Sequence, residues 1–151
     1  MEELVQQNFL LFFPIMFALM WLAVTAAIGF MSGWFSLMRR YPDRNETPLL
    51  RLSGQTGYMG WGARLRGILI LSPCPSGLRV GMFKIFGVFT RNFFVPWEEI
   101  RVRRKNWMFV RMAELEFGIP QAGTLSIASH VADRLAHAAG DDWPEEEPLP
   151  R

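Results

Sequence analysis

The side chains with chemistry to offer are one cysteine, two histidines and a few closely spaced carboxylates. A zinc ion takes about four ligands from Cys, His or carboxylate. Cys74, His130 and His137 are the candidates. The two histidines, seven residues apart in a helical stretch, share a face but stand roughly 10 Å apart along its axis. One ion does not bridge that gap, so no metal site is expected. Asp133 and His137, at i and i+4, read as a surface pair. Cys74 sits between Pro73 and Pro75 with no base beside it, the setting of a structural thiol. Glu114 and Glu116 fall on one side of an extended stretch, about 7 Å apart, a separation glycosidases use. Alternation with Ala113, Leu115 and Phe117 puts both carboxylates on the wet face. Gly54, Gly57, Gly60 and Gly62 are followed by neither Lys-Ser, Lys-Thr nor a helix start, which excludes a phosphate loop. No catalytic residue and no cofactor is expected. A hydrolase or transferase would have to gather scattered groups such as His130, Glu114 and Arg111.

What remains is basic and aromatic. Arg101, Arg103, Arg104 and Lys105 form the densest cationic cluster, straddling an expected hairpin turn at 104–106 with Trp107 beside it. A solvated tip, a contact with anionic lipid headgroups and a protein partner all fit such a cluster. Near an anionic leaflet each Lys or Arg contributes on the order of 1 kcal/mol. No nucleic-acid motif accompanies the charge, so nucleic acid is not expected as a partner. A second basic and aromatic stretch runs over 82–97 (MFKIFGVFTRNFFVPW). Its Gly87, β-branched residues and Pro96 favour strands and turns over an interfacial helix. Core strands are the favoured reading of the stretch; the alternative is that Phe93 and Phe94, beside Arg91, form a loop that dips into the membrane interface.

These groups need positioning elements. Residues 4–38 carry no charge, and 9–31 (FLLFFPIMFALMWLAVTAAIGFM) have Thr25 as their one polar side chain. About 20 apolar residues at 1.5 Å each cross a hydrocarbon core of about 30 Å, so 9–31 is expected to be a transmembrane helix. No helical angle offers a polar face, which excludes an amphipathic core helix. Glu2 and Glu3 precede it and no basic residue comes before Arg39, unlike a cleaved signal peptide. Trp21 falls mid-span, and Trp34 and Tyr41 fall where an interfacial aromatic belt is expected. Arg39, Arg40 and Arg44 follow the span, so the positive-inside rule puts the carboxyl-terminal side in the cytoplasm. Ala23, Ala26, Ala27 and Gly29 form a small-residue patch through which another membrane protein could pair.

Residues 39–53 mix charge, Pro and turn formers and read as a juxtamembrane linker. Beyond them, strands are expected over 56–61, 65–71, 77–83, 85–89, 93–95, 100–103 and 107–117. The period then changes: Ile127, Val131, Leu135 and Ala138 make a helical stripe, with Thr124 or Ser126 as cap and Gly140 as stop. Residues 141–151 (DDWPEEEPLPR) read as a disordered acidic tail. Residues 39–140 hold 15 Arg or Lys against 7 acids, a net +8, while the tail is net −4. That opposition would let the tail fold back and mask the basic hairpin. Fourteen of the 16 basic residues are Arg, which hints at a GC-rich genome, and the single cysteine suits a reducing compartment.

Leu78-Arg79-Val80-Gly81-Met82-Phe83, followed by Val95-Pro96-Trp97-Glu98-Glu99-Ile100, resembles the strand-and-turn pattern of bacterial pleckstrin-homology-like (PH- or GRAM-like) domains. Small membrane-anchored proteins are among them. The similarity covers residues 54–140 and departs at Thr90-Arg91-Asn92, where those proteins often carry a His-Pro-Pro run. It implies a β-rich barrel closed by a carboxyl-terminal helix. The expected protein is thus a membrane-anchored α+β chain, single-pass in a bacterial inner membrane, with its amino terminus outside. Its expected role is a non-enzymatic binding or scaffold module for anionic lipid headgroups or a protein partner. An accessory subunit pairing through its transmembrane helix is the alternative.

Overall fold

The computed structural model describes residues 1–60, 62–86 and 90–147. Helix α1 runs Glu2–Met31, with Pro14 inside it. It contains a window of mean hydropathy 2.3, scarcely covered by the rest of the chain, and is long and apolar enough to cross a membrane. Gly33, in the left-handed region at φ 74°, breaks it from α2, Trp34–Arg40.

The remainder is a sheet of eight strands: β1 Leu52–Met59, β2 Ala63–Cys74, β3 Gly77–Met82, β4 Phe93–Pro96, β5 Ile100–Trp107, β6 Val110–Phe117, β7 Gly123–Ala128 and β8 Glu146–Glu147. The order is β4-β3-β2-β1-β7-β6-β5-β8. Two antiparallel meanders, β1 to β4 and β5 to β7, join where β1 pairs with β7. The sheet curls into a half-barrel, and β8 adds in parallel along β5. Helix α3, Ser129–Ala139, lays Val131, Ala132, Leu135 and Ala139 into the core, and Gly140 ends it at φ 60°. Its exposed face carries Asp133, Arg134 and His137.

Several expectations need correction. Residues 39–53, read as a juxtamembrane linker, are docked against the sheet, and so is the helix before them. Trp34 and Leu37 are fully buried, Trp34 meets Phe93 edge-on at 4.9 Å, and Leu37 fills the space beside Gly123. Tyr41 is buried too, so Trp34 and Tyr41 serve the core and not an interfacial belt. Pro42 bridges to Phe93, and Tyr41 O accepts from Phe94 N. Arg79 then holds Asp43 at 2.8 Å, and Leu49 N donates to Pro73 O at 2.7 Å. Residues 83–86 form a turn where a strand over 85–89 was expected, and 87–89 lie outside the described residues.

The stretch 107–117 splits. The turn falls at Met108 and Phe109, at φ 47° and 71°, and not at 104–106. Arg104 and Lys105 are ladder residues opposite Ala113 and Met112, so their polarity signals pairing and not a bend. Thr124 and Ser126 lie in β7 opposite Glu116 and Glu114 and cap nothing. Leu125 and Ile127 alternate into the core, which makes Ile127 a strand residue rather than the start of the helical stripe.

The packing of α2 makes Trp34 part of the folding unit. Trp34→Ala leaves a cavity among Phe93 and its neighbours and should lower stability by about 3–5 kcal/mol. Thermal unfolding of the full chain in detergent checks this; a melting temperature equal to the parent's would show that α2 is not integral to the core.

Candidate functional site

The cations fall into two settings. In the hairpin β5–β6, three of the four expected binding cations are already matched. Arg103 contacts Glu147 at 3.0 Å and Glu116 at 3.6 Å. Arg104 contacts Glu146 at 2.7 Å and Asp133 at 2.8 Å. Lys105 Nζ lies 2.6 Å from Glu114. Cross-strand alternation explains the pairs: Arg103 is registered opposite Glu114, beside Glu116 on the same face. Arg101 is exposed and makes no salt bridge among the described residues.

Two of the acids come from the tail, which as far as Glu147 is structured and not disordered. Trp143 packs at a tilt, 5.7 Å between ring centres, on Trp97, the tryptophan of the Val95-Pro96-Trp97 turn, and its Nε1 donates to Glu146 at 3.0 Å. The Glu146 carboxylate then accepts two hydrogen bonds from Arg104, and the β8 backbone follows β5. Two of the five tail acids, Glu146 and Glu147, thus pair with the basic hairpin.

The hairpin tip is apolar. Trp107, Met108, Phe109 and Val110 are all exposed, and Trp107 rests edge-on against Tyr58 at 5.7 Å. Phe93 and Phe94, in contrast, are 0% and 1% exposed in β4. They cannot dip into a membrane, because they are core residues; Phe94 is covered by the Arg44 guanidinium, 5.0 Å from its ring.

The second cationic setting was missed. An open groove of about 1010 Å³ is lined by Arg39, Arg51, Lys84 and Arg91, with Asp43 as its acid. None of the four cations forms a salt bridge among the described residues, and Asp43 is committed to Arg79. Four elements build it. Arg39 sits in the last turn of α2, Arg51 just before β1, Lys84 just after β3, and Arg91 just before β4. The backbone of Arg91 is fixed by α2, since Trp34 Nε1 donates to its carbonyl at 2.9 Å and Met38 Sδ lies 3.2 Å from its N. In sequence these cations span more than 50 residues, so no local run announces them; of the four, only Arg91 was expected to bind.

The reactive groups do not converge. Among the described residues no three of His, Cys, Asp and Glu come together. Glu114 is held by Lys105, and Asp133 turns to Arg104 rather than to His137. Cys74 is buried, and desolvation pushes its thiol up. In the small-residue patch, Gly29 is covered by Phe35, which leaves Ala23 and Ala27 exposed. Comparison with protein-family models, curated proteins and solved structures finds no match.

Hydrogen bonds from Arg104 hold the Glu146 carboxyl below its ordinary 4.5, against the opposing effect of burial. A carboxyl lowered on folding contributes fully above its unfolded value and loses that contribution as pH falls through the folded one. The docked tail is therefore expected to be held in full above about pH 4.5 and to loosen progressively as pH falls further. Hydrogen-exchange protection of residues 100–104, corrected for the intrinsic rate, should drop in that window; protection that persists to pH 3 would contradict it.

Proposed function

We propose that the chain is a single-pass, membrane-anchored, non-enzymatic module that binds anionic lipid headgroups in the groove of Arg39, Arg51, Lys84 and Arg91. The observation that carries this reading is the groove's uncompensated charge, four cations against an acid already paired elsewhere. Its place in the chain supports it: Arg39 lies eight residues after the end of an apolar helix, within reach of the headgroups of the bilayer that helix would cross. The basic hairpin is the weaker candidate, because Arg103, Arg104 and Lys105 spend their charge on internal acids.

The rest of the reading follows from charge and topology. Arg39, Arg40 and Arg44 after the helix favour a cytoplasmic domain in a bacterial inner membrane, with the short amino terminus outside. Seven antiparallel strands followed by one helix support a PH-like domain, the outline that the Val95-Pro96-Trp97-Glu98-Glu99-Ile100 turn resembles.

Full-length protein in mild detergent, titrated with a fluorescent anionic phospholipid and its zwitterionic counterpart, tests the proposal. The anionic lipid should bind more tightly, and salt should weaken it. At on the order of 1 kcal/mol per cation, replacing Arg39, Arg51, Lys84 and Arg91 together by Gln should cost tenfold or more in affinity. Arg101→Gln should cost little. Equal binding of both lipids, or no loss in the fourfold variant, would remove the proposal.

A further inference from the structure

One loop is tied to the apolar helix at an unexpected level. Trp21 Nε1 donates to the carbonyl of Ile85 at 3.1 Å, and the Trp21 and Phe86 rings lie 6.0 Å apart. The turn after β3 therefore stands beside α1 ten residues before its end, about 15 Å along the axis at 1.5 Å per residue.

The helix beyond Trp21 has two faces. Thr25, Gly29 and Ser32 are buried against the rest of the chain. On the other side Val24, Phe30 and Met31 are 49%, 79% and 54% exposed, beside exposed Ala23 and Ala27. That side carries no polar group, so the medium that solvates it down to Met31 is lipid if α1 crosses a bilayer. A loop fixed at Trp21 then lies inside the bilayer surface, not below it.

The loop suits that medium. Ile85 is 65% exposed, and Phe83 and Phe86 are also exposed. Four of its backbone groups find partners within the protein, which lowers the cost of leaving water. Phe83 N donates to Ile68 O at 3.1 Å, Phe86 N to Phe83 O at 3.0 Å, and Ile85 O accepts from Trp21. Lys84, the one charge, lines the basic groove and can carry its ammonium along a flexible stem toward the headgroups.

We infer that the Phe83–Phe86 turn is a second membrane-embedded element, buried in lipid beside α1 at the depth of Trp21. It would seat the domain in the leaflet, next to the groove that Lys84 also lines. The inference rests on α1 spanning a bilayer and goes beyond that reading.

Single cysteines in a Cys74→Ala background test it: Ile85→Cys and, separately, Phe86→Cys, with Phe17→Cys inside the span and Thr47→Cys outside it. Each full-length variant, labelled with an environment-sensitive fluorophore, is reconstituted in vesicles containing lipids with quenchers on their acyl chains. The labels at 85 and 86 should be quenched by these lipids much as that at 17 is, and protected from iodide. The label at 47 should show the reverse. Labels at 85 and 86 that iodide reaches, with 17 still in lipid, would overturn the inference and leave the spanning helix standing. Iodide reaching 17 as well would overturn both.

Discussion

An open, curled sheet has two edges, and each exposes a row of unpaired backbone groups that invites association with another chain. Everything distinctive here depends on how those edges are covered. At β4 the cover is the stretch after α2, where Pro42 bridges to Phe93 and Tyr41 accepts from Phe94. At β5 it is the carboxyl-terminal stretch, where Glu146 and Glu147 add as β8. Two segments rich in charge and proline thus become structural, because the backbone of their neighbours needs them.

Covering the edges also sorts the charges. The β8 acids land on Arg103 and Arg104, so the densest cationic run in the chain is spent on internal pairs, partly shielded from solvent at Arg104. At the other edge, α2 and the residues that follow it bring Arg39 close to Arg51, Lys84 and Arg91, while Asp43 is drawn off to Arg79. The same requirement that neutralises one cluster assembles another with its charge intact. An anionic ligand gains from such a groove because no internal carboxylate has to be displaced first.

Legibility in the sequence followed the range of the interactions. The apolar helix, most strands and the stop at Gly140 were readable, since each rests on local periodicity or a local backbone requirement. Alternation at Ala113, Leu115 and Phe117 was right for the same reason. The strand β7 was not seen, because its six residues with two small polar ones merge into the helical stripe that follows. The idea that Phe93 and Phe94 dip into a membrane fails because both are buried; adjacent residues of a strand face opposite ways, and here Phe93 faces the core while Phe94 is covered on the other face by Arg44. The groove was illegible for a different reason. Its four cations come from four separated places, and only the tertiary fold puts them on one surface.

The proposed membrane-facing charge is the groove beside α2 and not the basic hairpin. Hydrogen exchange of the full-length protein, compared between nanodiscs of zwitterionic lipid and nanodiscs containing anionic lipid, tests this without any substitution. The account predicts that anionic lipid slows exchange at residues 38–43, 51 and 90–92 and leaves residues 101–111 unchanged. Slowed exchange confined to 101–111, or no difference between the two bilayers, would contradict it.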